Sequence, residues 1–540
     1  MSVERSNVGR PGWVLAAALA LGIALTPPMG LLVGIGLALA ALLPLLNPVF
    51  GVYLAVLSVP AQELVTLPGG LSLTQAAVLT AAFGWAAHLV GGGGWGSGVG
   101  RAVSTSTPLP DPQPLIPWLV LLWALLLSAS LTPYSRAEGL KETARWGVAF
   151  LVWLIAATTL RQRWEIYGLI GCLLAAPAAN ALIGLGQFAS GDGPPTFRIA
   201  ADLPYVRAYG TIGQPNSFAG YMNMAWPLAV ATAIAQCTMQ ATWLGRGNVG
   251  AGILYFAWCM LLFLVAAVLL AALLASFSRG AWLGAAAGVL GMAAALLLRW
   301  ANDRRRFADH APTRGSASSQ RISPTGRRSV GRSVGRWSLV VLTLIAVLIG
   351  ATQALPAPIA ARVASIGASV GVFDARTVEV TPENFAVVER MAHLQAGWRM
   401  LRARPLVGVG PGNFTPAYPD FALAPWYASR GHAHNFYLHI AAEAGALGLL
   451  AYLVLIGAVV AQAVRALRRS SGTGLYGAAV GCCGIIAAVA AHNLFENLHV
   501  LNMGIQLAGV WAALAAIGAG RWAIGSDGRG LSPTAHRPSP

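Results

Sequence analysis

Apolar runs long enough to cross a bilayer recur along nearly the whole chain, and they constrain the fold more than any motif. They lie near 14–26, 29–46, 48–61, 72–90, 115–131, 146–160, 166–188, 217–236, 252–276, 280–299, 338–355, 436–464, 475–494 and 500–519. A bilayer-spanning helix takes roughly 20 mainly apolar residues. Hydrocarbon offers no water to backbone polar groups, so such runs are read as helices. The sequence predicts an all-α, polytopic integral membrane protein with about 12–14 transmembrane helices. Some early runs are short and interrupted by Pro27, Pro28, Pro44 and Pro48, as half-helices or re-entrant segments would be. Charged residues make up 10% of the 540 and hydrophobic ones 56%, whereas a soluble domain carries about 25% charged residues. No stretch is large and polar enough to fold as a separate soluble domain. The run from Val14 follows a short charged N-terminus and reads as an uncleaved first span, since no hydrophilic domain follows it.

The net charge is +17, from 35 Lys+Arg against 18 Asp+Glu. In a soluble chain that excess would suggest nucleic acid. Here the positive-inside rule accounts for it, and no nucleic-acid partner is expected. Arg299, Arg304, Arg305, Arg306, Arg314, Arg321, Arg327, Arg328, Arg332 and Arg336 form one dense basic stretch among Ser and Gly. Placing it in the cytoplasm puts Arg161, Arg163, Arg246, Arg465, Arg468, Arg469 and both termini there as well. The cysteines, Cys172, Cys237, Cys259, Cys482 and Cys483, sit in or beside apolar runs. They show neither a disulfide framework nor zinc spacing.

The expected organisation follows. Residues 1–90 are N-terminal transmembrane helices, and 91–114 a flexible Gly/Ser/Pro-rich cytoplasmic linker. Residues 115–300 are transmembrane helices carrying outer-face arginine motifs. A basic, disordered cytoplasmic loop spans 301–336, and 337–355 is another span. A long periplasmic or outer loop spans 356–435, with a helix over 382–404. Its start is read from an N-cap at Thr381 followed by Pro382, and its apolar stripe from Val387, Val388, Met391, Leu394, Trp398 and Leu401. Residues 436–520 are C-terminal transmembrane helices, and 521–540 a cytoplasmic tail. Alternating the spans also places 132–145, 189–216, the Ser276–Gly280 turn and 491–497 on the outer face. Nearly every polar residue of chemical interest therefore falls on one side.

Three polar stretches at that boundary carry candidate chemistry. Arg207 stands before Gly210, Pro215 and Asn216, a shaped backbone leading into a span. Arg279 sits in the short Ser276–Gly280 connection. Either arginine alone is also compatible with snorkelling to headgroups. His432 and His434 flank Ala433, and His-x-His on an extended segment puts both rings on one face, a metal-ligand spacing. No helical His/Glu motif completes such a site. His434, directly before Asn435 and the helix start, is read instead as a titratable or hydrogen-bonding group. Arg136, Lys141 and Arg145 form either a solvated face balanced by Glu138 and Glu142 or an anion-facing patch. Cationic and titratable groups on one face suit neutralisation of a pyrophosphate leaving group without a divalent ion. Arginine grips phosphate oxygens bidentately, and a histidine beside it accepts a proton from an attacking hydroxyl.

An ordered set of signatures resembles a known family. It comprises Arg207 with Gly210-Thr211 and Pro215-Asn216-Ser217-Phe218-Ala219, then Ser278-Arg279-Gly280-Ala281-Trp282. Arg390 and Trp398 follow, with Pro405-Leu406-Val407-Gly408-Val409-Gly410, and lastly His434-Asn435-Phe436-Tyr437-Leu438 with Glu443-Ala444-Gly445 and Gly448. Over about 200–450 the chain resembles the O-antigen ligase and O-antigen polymerase group of bacterial membrane glycosyltransferases. The resemblance implies a GT-C-like fold and an undecaprenyl (polyprenyl) diphosphate-linked glycan donor. It implies a lipid or glycan acceptor and transfer on the outer face of the cytoplasmic (inner) membrane, among membrane lipids and without metal or cofactor. By motif, the family's functional arginines and histidine fall on Arg207, Arg279 and His434. Arg390, Asn435, Asn216, Arg136, Lys141, Arg145 and His432 are the candidate substrate-binding residues. A polymerase of the same family shares the donor site. A bicarbonate-like solute transporter is the competing class, but it would need internal repeats and charges at the bilayer midplane, and the sequence shows neither.

Overall fold

The computed structural model describes residues 42–62, 64, 66–67, 71–90, 112–199, 204–244, 249–309, 373–381 and 384–520. The expected spans over 14–26, 29–46 (as far as 41) and 338–355, the linker over 91–111 and the tail lie outside these residues. Helix dominates. The helices are α1 (Pro48–Ser58), α2 (Leu73–Val90), α3 (Pro112–Ser130), α4 (Arg136–Thr159), α5 (Arg163–Ser190), α6 (Pro215–Asn223) and α7 (Trp226–Leu244). They continue with α8 (Val249–Ala275), α9 (Arg279–Asp309), α10 (Phe385–Ala403), α11 (Phe414–Phe421), α12 (Phe436–Arg469), α13 (Tyr476–His492) and α14 (Met503–Ala519). One minimal antiparallel ladder pairs Thr66–Leu67 with Leu71–Ser72. Among the described residues five helices are long and apolar enough to cross a bilayer, and four shorter apolar helices accompany them. The described residues are those of a polytopic, predominantly helical membrane protein.

Helix starts follow local chemistry. Ser135 caps α4 by accepting the Glu138 N–H, and Gln162 and Glu165 form a reciprocal capping box on α5. Asn435 caps α12 by accepting the Leu438 N–H. The start of α10 departs from expectation: Asn384 takes its cap position, three residues after Thr381. Thr381 and Asn384 exchange backbone-to-side-chain hydrogen bonds instead. At the other boundary, α9 runs unbroken to Asp309. The first residues of the basic stretch are therefore helical, since nothing between Arg299 and Asp309 stops a helix.

In lipid, helix association rests on close packing more than on hydrophobic transfer. Gly280, Gly284 and Gly288 form a small-residue stripe on α9 facing α13. A methyl at Gly284 would sit 2.8 Å from the Ala488 carbonyl oxygen. At the end of the bundle where α9 leaves and α13 begins, the Arg299 guanidinium lies 4.4 Å over the Tyr476 ring. Nearby, Arg469 donates to the Ala519 carbonyl.

The opposite end is built by a break in α12. The sequence reads 436–464 as one continuous span, but Gly445 adopts φ 67° and ψ −170°, outside helical values. That break frees the Ala442 and Glu443 carbonyls, which accept the N–H groups of Val409 and Gly410 at 3.0 and 2.8 Å. In return the Ala446 N–H donates to the Pro405 carbonyl at 2.8 Å. A Cβ at Gly445 would stand 2.2 Å from the Leu406 carbonyl carbon, so only glycine fits there. The Pro405–Gly410 and Glu443–Gly445 signatures are thus two halves of one backbone junction. It docks the loop before His434 on the first two turns of α12, over a small core of Met400, Val409, Phe414, Tyr418, Ala433 and Ala442.

Candidate functional site

The connection 493–502 between α13 and α14 is the common wall of the site. On one side, α9 begins against it: a methyl at Gly280 would lie 2.9 Å from Phe495 Cβ and 3.1 Å from the His492 ring. On the other, the Phe436 N–H donates to the Asn493 carbonyl at 2.8 Å. The Arg279 turn and the His434 loop therefore flank the same short segment. Arg207 joins the first side. Its Nε donates to the Ser276 carbonyl at 2.7 Å and one terminal nitrogen donates to Asn216 Oδ1 at 2.8 Å. The adjacent Ala208 N–H donates to the Ala275 carbonyl. Arg207 and Asn216 thus brace the turn that presents Arg279, the first residue of α9.

His434 sits at φ 53°, a left-handed conformation that costs a non-glycine residue roughly 1–2 kcal/mol. Its backbone N–H donates to His432 Nδ1 at 3.1 Å. Neither of its ring nitrogens has a hydrogen-bond partner among the described residues, although both are buried. Burial pushes the His434 imidazole well below its ordinary value of 6.5; His432 adds to this, Glu496 opposes it, and Arg390 and His393 lower it further. The ring therefore rests neutral with a lone pair to offer.

Glu496, named in the sequence only as part of a connection, is the residue that sequence reasoning missed. The signal was a carboxylate in a short link between two apolar runs, where an unpaired charge is costly. It is 4% exposed. Its Oε1 accepts from His432 Nε2 at 3.0 Å and lies 4.0 Å from His434 Nδ1. Burial alone would raise its carboxyl. The field and hydrogen bond of His432, then His434 and Arg390, outweigh burial and hold the group well below the usual carboxylate range.

His432, His434 and Glu496 bring three ligand-type atoms within 4.8 Å of one another. The donor set fits a proton-holding cluster better than a metal. His432 Nδ1 accepts a backbone N–H, so the ring proton belongs on Nε2, where it donates to Glu496. A metal on Nε2 would force that proton to Nδ1, against the His434 N–H, whereas metal-bound histidines normally donate from the second nitrogen.

The other candidates fall in two groups. Arg390 projects from α10, half-buried, and its charge acts on both His434 and Glu496. Of the expected stripe on α10, Val388 and Met391 are buried and Leu394 packs beside them, while Trp398 is 53% exposed; Ala392, Ala396 and Met400 widen the buried face. The small residues allow close approach to Ala433. They carry His393 to a ring-centroid distance of 5.7 Å from His434. Arg136 and Lys141 are exposed on the first turns of α4, with Lys141 3.6 Å from Glu138. Arg145 pairs with Glu142 at 2.8 Å and lines a small cavity with Trp146, His499 and Asn502.

Residues 264–453 match the family model described as O-antigen ligase. That stretch is similar to the O-antigen ligase family. The match takes in Arg279, Arg390, His434 and the Gly445 junction, and leaves Arg207 and Glu496 outside. No curated protein matches the chain.

The buried groups of this end set a pH dependence of stability. Burial lowers His434 and His393, and holds His499 down to about 3; Glu496 is held below its ordinary 4.5. In each case the unfolded chain binds more protons than the folded one, so stability falls with pH. The loss begins near pH 6.5 for the histidines and deepens below pH 4.5 for Glu496. Thermal unfolding of the detergent-solubilised chain is expected to show a midpoint that falls steadily across this window. A flat midpoint would mean that these groups are not perturbed as described.

Proposed function

We propose that the chain is a membrane glycosyltransferase. It moves a glycan from a polyprenyl diphosphate to an acceptor hydroxyl on the outer face of the cytoplasmic membrane, without a metal ion. The observation that carries this reading is the pairing of two stretches across one wall. A turn presenting Arg279, braced by Arg207, and a loop presenting a neutral His434 both pack against the 493–502 connection, in a chain with a stretch similar to O-antigen ligases. Arginine at a helix N-terminus suits the diphosphate, because fixed positive charge and the helix dipole act on the same anion. His434 suits the acceptor, taking the hydroxyl proton as the oxygen attacks the sugar C1. The C1–O bond to phosphate then breaks and the diphosphate leaves with the electron pair.

Arg390, Asn435, Asn216, Arg136, Lys141, Arg145 and His432 belong to the substrate-binding surround in this reading. Polar groups collected at one end of the bundle favour one-sided chemistry over a transport path through it. A polymerase extending the glycan on its carrier would use the same donor site, and the product separates the two. The test is transfer from an undecaprenyl-diphosphate-linked oligosaccharide by the purified chain, with and without EDTA. Transfer undiminished by EDTA is expected. Loss on chelation with rescue by a single metal would overturn metal-independence, and no transfer to any acceptor or carrier would overturn the reading.

A further inference from the structure

The mechanism above gives Glu496 no task, yet the fold keeps its charge buried. Three contacts define its position: the His432 Nε2 hydrogen bond, the Asn497 N–H at 3.2 Å and the His434 ring at 4.0 Å. The groups around His434 come from every neighbouring element. His432 lies on its own loop, and Arg390 and His393 on α10, with Glu389 close to His393. His492 lies at the end of α13, within the fields of Glu496 and Arg390. Glu496 comes from the α13–α14 connection and is the carboxylate that acts on His434.

A base that picks up a proton in this setting becomes a buried cation near Arg390. Such a cation needs a compensating anion, and one that is already oriented costs no reorganisation when the proton arrives. His432 supplies the orientation. Its ring is fixed at Nδ1 by the His434 backbone N–H, and its Nε2 then holds the Glu496 carboxylate. The same two-residue turn therefore carries both the base and the clamp for its counter-ion.

We propose that Glu496 is the positioning residue and counter-charge of His434, pairing with the imidazolium that forms when His434 takes the acceptor's hydroxyl proton. The inference rests on the assignment of His434 as base. The proton moves from the acceptor oxygen to a His434 ring nitrogen, the new bond forms at the sugar C1, and the diphosphate carries away the bonding pair. Glu496 stays ionised throughout, as the oriented carboxylate of a nucleophile–base–acid triad does.

Glu496→Gln tests this, because the amide keeps its size and can still accept from His432 while losing the charge. Glu496→Asp keeps the charge on a shorter stem. The substrate-free measurement is the pH dependence of carbethoxylation of His434 by diethyl pyrocarbonate, read by peptide mass spectrometry on the full chain in detergent. Glu496→Gln is expected to lower the His434 midpoint by about 1 pH unit or more, and Glu496→Asp to restore most of it. Equal midpoints in wild type and Glu496→Gln overturn the proposal, whatever the transfer rates. In transfer assays with the undecaprenyl-diphosphate-linked oligosaccharide, Glu496→Gln is expected to lower kcat by about 10–10²-fold. Its acid limb should move to lower pH and its donor KM should stay unchanged. A rise in KM at constant kcat overturns the proposal in favour of a purely structural role. Wild-type transfer by His434→Ala instead overturns the base assignment on which the proposal rests.

Discussion

Arg279→Ala is expected to lower glycan transfer by about 10²–10³-fold, the usual effect of losing one preorganised donor to developing negative charge. In the transition state of the proposed reaction the sugar–phosphate bond is breaking and charge accumulates on the diphosphate. A group whose interaction grows with that charge lowers the barrier. Arg279 is placed for this role by three features. It is the first residue of α9, where the helix dipole adds positive potential. Its turn is braced by Arg207 through the Ser276 carbonyl. The glycine after it lets α9 abut the 493–502 wall. Arg279→Lys should fail nearly as badly, because an ammonium offers a point charge and no planar fork. Binding of the lipid-linked donor should weaken in both variants. Donor binding and transfer are measured separately on purified, folded protein. Wild-type binding by Arg279→Ala would remove this residue from the diphosphate site, and full rescue by lysine would show that the fork is not required.

The parts of this structure that were legible in the sequence are those set by local or compositional rules. Long apolar runs dictate helices in a bilayer, so the all-helical membrane architecture follows from hydropathy alone. The helix start after Asn435 is a local signal of the same kind. The motifs around Arg279 and His434 were readable because each couples an unusual polar residue to a helix start. What was not readable depends on partners far apart in sequence. The break at Gly445 is stabilised by backbone bonds to Pro405, Val409 and Gly410, more than thirty positions earlier, and an apolar run contains no sign of them. The close approach of Gly397 to Ala433 is of the same kind, since a stripe of large apolar side chains carries no sign of it. The role of Glu496 was hidden for a similar reason: its place in a short link flags a buried carboxylate, but its partners, His432 and His434, are seen only in the fold.

His434→Ala is expected to separate binding from chemistry. The imidazole rests neutral because burial disfavours its charged form, and a neutral ring at that position can receive a proton. A general base typically contributes about 10²–10⁴ in rate, so transfer should fall by that range. Donor binding should change little, since the diphosphate is assigned to the arginines across the wall and the lost ring carried no positive charge in the resting state. The pattern expected is a large drop in kcat with a donor dissociation constant close to wild type. This is the signature of an interaction made only in the transition state. His434→Gln is the informative companion, because it retains hydrogen-bonding capacity without basicity. If His434 only orients the acceptor, Gln should recover much of the lost rate; if it removes the proton, Gln should behave like Ala. The pH–rate profile gives an independent check. Wild-type transfer should decline at acid pH as His434 protonates, below the ordinary histidine range, and that limb should be absent from the residual activity of both variants. Near-wild-type transfer by folded, membrane-inserted His434→Ala would take the histidine out of the mechanism and leave the arginines as a binding site alone.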